Sequence, residues 1–548
     1  MTSEATSPRS ASTTGAALGR TAASIAVVLL AARFVGILRV FTQASVLGPA
    51  LGDAYVTANK IPNIVFDVVA GGALSSVVIP VLARPIAERD DTGTRRNASA
   101  LLTWTILILL PLSLVGMALS RPIITVLLSG VGDDVLRQQK INVGSRLLVV
   151  FMPQLVLYGV GVVLTGVLQA HRRFLAPAFA PLLSSLVVIG AYLTYSAQSG
   201  GNRSIADITR GEELILSLGT TLGVAALTLP LLLPASRLGL RLRPSLRMTE
   251  GAGRQIRRLA LAGAITLGAQ QLTTGVVVVL ANRVVGGLIV YELAWTVFMV
   301  PWAILAVPIA TSVFPDLTES AAVGDEQRYA GALASALRAI AMTMLLAAAV
   351  LAALSRPLAQ LLLTLMQPEA GGAGAADLAR AIAAFAPGLV GYGAIALLTR
   401  AAYARHAGKA AAMATAAGFA VAALVDVALA SAVSRHWLVA AMGIGNTVGM
   451  TVAAVALVWW LRGAAGQAAT AGALRVAIVG SLGAFVAAPL GMLVADWANA
   501  DGATGALRAA VVSAAVAAGL FAAVAAAGLR EEFGALLRRL RGTVPRRG

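Results

Sequence analysis

Apolar runs of about twenty residues, bounded by charges or by Gly/Pro clusters, recur along nearly the whole chain. They fall near 21–46, 54–83, 98–119, 142–169, 175–197, 212–236, 256–281, 286–314, 329–354, 376–403, 409–431, 436–461, 472–495 and 504–529. Each is long enough to cross a hydrocarbon core of roughly 30 Å as a helix. The pattern predicts an all-α polytopic membrane protein of about fourteen transmembrane helices. The segment "RPIITVLLSG" after the third span is too short to cross and is expected to lie at the interface.

Composition agrees: 58% of the 548 residues are hydrophobic and 12% are charged, outside the balance of soluble domains. A formal charge of +18 would suggest nucleic acid in a soluble chain. Here the arginines gather in alternate connections, as in Arg84, Arg89, Arg95 and Arg96, then Arg172 and Arg173, then the run from Arg237 to Arg258, then Arg400, Arg405 and Lys409. That is topology, and it places both termini in the cytoplasm of a plasma-membrane protein, with no nucleic-acid partner. There is no cysteine and there are three scattered histidines, so neither a disulfide framework nor a zinc site is expected. Residues 1–20 are small and polar and read as a disordered cytoplasmic tail rather than a signal peptide.

A weak internal repeat divides the chain. "SSVVIPVLARPIAERDDTGTRRNASALL" is matched about 235 residues later by "ATSVFPDLTESAAVGDEQRYAGALASAL", and "LQAHRRF" by "AYARHAG" about 234 residues on. The economical reading is two pseudo-symmetric six-helix lobes, 21–236 and 256–462, joined by a basic linker at 237–255. Two further helices follow within 463–529, then a basic cytoplasmic tail at 530–548. Repeated halves are common in transporters, whose substrate sites lie between them.

Charges within spans cost about 2.5–3.5 kcal/mol on insertion scales, so they face a partner or a wet cavity. The first span carries Arg33 and Arg39; the second carries Asp53, Lys60 and Asp67, with Asn63 on the flank. Seven residues are almost two helical turns, so the three second-span charges share one face, with Pro62, Gly71 and Gly72 as places to bend. Lys60 and Arg39 are the candidates for an anionic ligand. Asp426, flanked by apolar residues, is a candidate ion or proton site, with Asn446 and Thr447 as possible neighbouring oxygens and Na+ or H+ as the coupling ion. No nucleotide loop, metal-binding helix or paired extramembrane carboxylates argue for an enzyme, and no other cofactor is implied.

The stretch "GDAYVTANKIPNIVFDVVAGGALSSVVIPVL", preceded by "ARFVGILRVFTQASVLG" and followed by "VLQAHRRFLAPAFAPLLSSLVVI", resembles the MurJ (MviN) family of lipid II flippases in the MOP superfamily. The eighth span, "YELAWTVFMVPWAILAVPIATSVFP", is similar to actinobacterial members. The resemblance implies a fourteen-helix fold around a central cavity, with a tail groove on the last two helices. It also implies a substrate: lipid II, an undecaprenyl-diphosphate-linked disaccharide peptide, moved to the outer leaflet by alternating access for cell-wall synthesis. Arg33, Arg39 and Asp53 match family cavity residues. The second-helix arginine of many members is Phe66 here, the eighth-helix arginine is Thr296, the glutamate after it is Met299, and the Asp-Arg pair ending the seventh span is Asn282-Arg283. Lys60 and Arg283 are expected to supply the missing positive charge. Expected partners are the lipid substrate, membrane lipids and proteins of cell-wall synthesis or division. The alternatives are export of another polyprenyl-linked glycan and a non-transporting cell-wall scaffold.

Overall fold

The computed structural model describes residues 9–68, 75–200, 204–239, 243–247, 252–363, 373–498, 502–530 and 534. Among them every regular element is helical. Eleven helices are long and apolar enough to span a membrane, and twelve if the bent pair Ala375–Phe385 and Gly388–Ala404 counts as one. The fourteen spans read from the sequence are consistent with this count. The second falls short because its helices, Pro49–Phe66 and Ser75–Ala87, flank residues outside the described set, Gly71 and Gly72 among them. In the seventh, Ala252–Ala281, only Leu267–Ala281 registers as an apolar helix.

The first helix starts at Arg9, inside the stretch expected to be disordered. Its opening "RSASTTGAALGR" contains alanines and no proline, so little stops the apolar span from extending backwards. Residues 1–8 and most of the basic C-terminal tail lie outside the described residues.

The repeat is visible in local geometry. Asp90 caps the third span by accepting from the Gly93 N–H at 2.8 Å; 235 residues on, Asp325 caps the ninth by accepting from Arg328 N–H at 2.9 Å. The preceding residues, Arg89 and Gly324, both take left-handed backbone conformations, with φ of 56° and 73°. Glycine suits that position without the Cβ clash that Arg89 tolerates. Arg172 and His406, 234 residues apart, repeat the pattern with φ of 58° and 57°. The fourth span breaks at Pro153, and the tenth at Pro387. The short helix Ser120–Leu127, "SRPIITVL", has a counterpart in Ser355–Leu363, "SRPLAQLLL", again 235 residues on.

Helices of each half pack mostly on one another: the first span on the fifth, the fifth on the sixth and the second on the fourth, then the seventh on the eleventh and the eleventh on the twelfth. The thirteenth and fourteenth spans pair together and lean on the ninth, where Gly491 lets the helices approach so closely that a Cβ there would sit 2.5 Å from that of Ala353. Their outer faces present Phe485 and Trp497, 78% and 86% exposed, as a lipid-facing surface requires.

Candidate functional site

Two ion pairs anchored on the second span organise the interface between the halves. At the Arg-poor rim, the Asp53 carboxylate accepts from Lys140 Nζ at 2.8 Å, and both side chains are fully buried. It also accepts from the backbone N–H groups of Gly286, Leu288 and Ile289 at 2.7, 3.2 and 3.4 Å. These groups open the helix Gly287–Pro301 of the eighth span, whose N-terminal dipole favours an anion. Asp53 thus caps a helix of the second half from the first half, with the fourth span supplying the counter-charge. Beside it Asn282 donates to Thr57 Oγ1 at 2.9 Å. Gly52 permits the approach, since a Cβ there would fall 2.0 Å from Ile289 Cδ1.

Seven residues further along, about 10 Å at 1.5 Å per residue, Lys60 meets Glu292 of the eighth span at 2.6 Å. This pair is partly exposed, 28% and 21%, because it borders a cavity of about 240 Å3. Lys60, Asn63 and Asp67 line it from the second span, Gln271 and Thr274 from the seventh, and Asp426 and Asn446 from the eleventh and twelfth. Asp67 accepts from Gln271 Nε2 at 2.9 Å, while Asn63 donates to the Asn59 carbonyl. Asp426 is 2% exposed and its Oδ1 has no hydrogen-bond partner among the described residues; the Asn446 amide nitrogen is likewise unpartnered. Gly445 makes room for that carboxyl, as a Cβ there would lie 1.9 Å from Asp426 Oδ1.

The expected wall of charge therefore divides. Lys60, Asn63 and Asp67 line the cavity, and Asp53 does not: it shares their face but lies two turns higher, where the N–H groups of the eighth span take it up. Arg283, expected beside Lys60, is exposed at the rim and donates to the Ala430 carbonyl at 3.3 Å. Within this group Glu292 takes Lys60, and Gln271 takes Asp67. Arg33 is exposed and Arg39 half-buried on the first span, and neither is among the cavity-lining residues. Thr447 is turned away, donating to the Ala384 carbonyl at 2.9 Å. Phe66 packs on Tyr158 at 4.7 Å between centroids.

Two features escaped the sequence reading. Lys140 sits in "VGDDVLRQQKINV", which reads as a polar connection, and nothing local announces a buried partner 87 residues away. The run "QQLTT" at 270–274 is an uncharged polar patch inside an apolar span, and a search for neutral polar clusters would have found it. Among the described residues no group of three or more His, Cys, Asp or Glu could hold a metal ion.

Among the described residues, helices with repeated local geometry and a polar cavity between the halves define a multi-pass membrane protein. Its fold matches that of a lipid II flippase MurJ in an inward closed conformation, with a TM-score of 0.68 over 92% of this chain and 99% of that one at 16% identity. An inward-facing multidrug resistance MATE family transporter matches at 0.64 over 81% and 99%, also at 16% identity. The family model "Lipid II flippase MurJ" matches residues 44–506, and the chain belongs to that family. A probable lipid II flippase MurJ of Rhizobium meliloti (strain 1021) is 26% identical over 350 residues, 62% of each chain. One of Rhizobium tropici is 25% identical over 296 residues, 53% of each. The chain thus spans about three fifths, or less, of the length of these relatives.

Proposed function

We propose that this protein moves lipid II from the cytoplasmic to the outer leaflet of the plasma membrane by alternating access. The observation that carries the reading is the polar cavity between the halves, closed at the Arg-poor rim by Asp53, Lys140 and the start of the eighth span. The Arg-rich connections mark the cytoplasmic side, so the seal is the outer gate and both termini are cytoplasmic. Family membership supports lipid II as cargo.

A disaccharide-peptide on a diphosphate cannot cross hydrocarbon unaided, because each unpaired polar group costs several kcal/mol there. A wet cavity with exchangeable partners removes that cost. Lys60 releases Glu292 and takes a phosphate oxygen in a charge-assisted hydrogen bond; Arg39 and Arg33 of the first span stand outside the cavity lining and serve the approach of the same anionic group. Opening the outer gate requires Asp53 to leave the N–H groups of Gly286, Leu288 and Ile289, which separates the second span from the eighth.

The test is a depletion strain complemented with wild type or Lys60→Ala at equal membrane abundance, scoring lipid II cleaved by a hydrolase added outside the cell. Wild type restores exposure. Loss of one charged hydrogen bond, about 1.5–3 kcal/mol, weakens cargo binding about ten- to hundredfold and lowers exposure in the variant. Unchanged lipid II on depletion, with another polyprenyl-linked glycan accumulating inside, would overturn the assignment of the cargo.

A further inference from the structure

Among the described residues lining the cavity, one charged side chain is cationic and three bear carboxyls: Lys60 against Asp67, Glu292 and Asp426. A site built only to hold a diphosphate has no use for that excess of acid. The excess is not absorbed by internal pairing. Glu292 is matched by Lys60, whereas among the described residues Asp67 makes no ion pair and takes the neutral amide of Gln271. Asp426, 98% buried by its 2% exposure, lines the cavity with Oδ1 unpartnered among the described residues. Leaving a buried carboxyl oxygen without a donor costs about 1–3 kcal/mol, so Asp426 calls for a donor from the cavity side, which an arriving ligand can supply. Two aromatic rings, Tyr291 and Trp295, line the same cavity and are half-buried, and aromatic faces attract cations. Acids and rings together make a receptor for an organic ammonium.

We infer that this wall receives a primary ammonium group of the cargo, so that the transported molecule is amphoteric: its anionic linkage goes to Lys60 and its amine to Glu292, Asp67 and Asp426. The inference rests on the transport reading above and deepens it. The Lys60–Glu292 pair is the resting state of the site. An amphoteric ligand exchanges with both members at once, its anion replacing Glu292 on Lys60 and its ammonium replacing Lys60 on Glu292, so no charge is stranded. A purely anionic ligand would take Lys60 and leave Glu292 without a partner in a partly dehydrated cavity. The cavity thereby selects against lipid-linked phosphates that carry no amine.

Purified full-length protein in nanodiscs is titrated, with tryptophan fluorescence as readout, with lipid II whose peptide carries a lysine and with the same lipid acetylated at Nε. The expected result is binding of the acetylated form weaker by about tenfold or more, the loss of one charged hydrogen bond. Glu292→Gln and Asp67→Asn, the second of which leaves the Lys60–Glu292 pair intact, should each shrink that preference. Equal binding of the two lipids to wild type overturns the ammonium site while leaving lipid II transport standing; a site for an inorganic cation alone gives this outcome too. Binding of neither lipid sinks the transport reading. The same samples then decide the ammonium site with Nα-acetyl-lysine methyl ester against its Nε-acetylated counterpart: binding of the free amine alone keeps it, and equal or no binding overturns it.

Discussion

Two of the three charges on one face of the second span, Asp53 and Lys60, join the eighth span, and each does so in a different way. Asp53 is dry, fully buried and saturated, with one lysine and three backbone donors on its two oxygens. Lys60 is wet, partly exposed and holds a single carboxylate. The same residue classes on the same helix thus make a lock at one depth and an exchangeable contact at another. The difference is set by what surrounds them. Around Asp53, Gly52 leaves room for the Ile289 side chain and Gly286 for the Pro49 ring, and the carboxylate and its lysine are left fully buried. Around Lys60, the polar patch of the seventh span and the acids of the second half keep a cavity open. A buried pair broken on one side costs about 3–5 kcal/mol, whereas an exposed pair is worth about 0–1 kcal/mol. The proposed alternating access needs both: a gate whose closed state is well defined, and a site whose contacts surrender to cargo.

The largest effect is expected from stranding the gate's carboxylate. Lys140→Met should destabilise the rim-closed state by about 3–5 kcal/mol, enough to invert a modest conformational bias. The double variant Asp53→Asn, Lys140→Met removes both charges and should recover much of the loss. Spin labels at Val135 and Trp437, exposed positions at the Arg-poor rim, report the change as a distance distribution. A single variant indistinguishable from wild type would show that the pair does not hold the rim. Next comes the close approach itself. Gly52→Ala puts a methyl group within 2.0 Å of Ile289 Cδ1 and should cost about 1–3 kcal/mol by overpacking. Adding Ile289→Val trims the clashing carbon, and the same labels should then show the rim closing again. Failure of that rescue would mean that the backbone, not the side chain, sets the spacing.

Much of this contrast could be read in the sequence, and the unread part has a common cause. Span lengths are local, so the membrane architecture follows from runs of apolar residues. The repeat was legible at "ARPIAERDD" and could have been fixed more firmly by the "SRP" tripeptides at 120 and 355. The face shared by Asp53, Lys60 and Asp67 is a matter of helical period. Depth is different: it depends on which element arrives opposite, and Asp53 meets residues 87 and 233 positions away. The pairing of Lys60 with Glu292 and of Asp67 with Gln271 fails to show for the same reason. Arg283 illustrates the converse error, since a charge close to a span end in sequence turned outward at the rim once Asn282 took the inward position next to Thr57.

The smallest energetic effect is expected at the cavity pair, and it tests the contrast from the other side. Lys60 and Glu292 are 28% and 21% exposed, so solvent screens much of their attraction and can rehydrate either partner when the other is removed. Lys60→Gln, Glu292→Gln and the double variant form a cycle whose coupling energy should stay within about 1 kcal/mol, measured by thermal unfolding in detergent. The corresponding cycle on Asp53 and Lys140 should exceed it severalfold. If the two cycles gave equal coupling, the cavity would be as dry as the seal. Lys60 would then be a second lock, and its exchange with an arriving anion would need the full cost of breaking a buried pair.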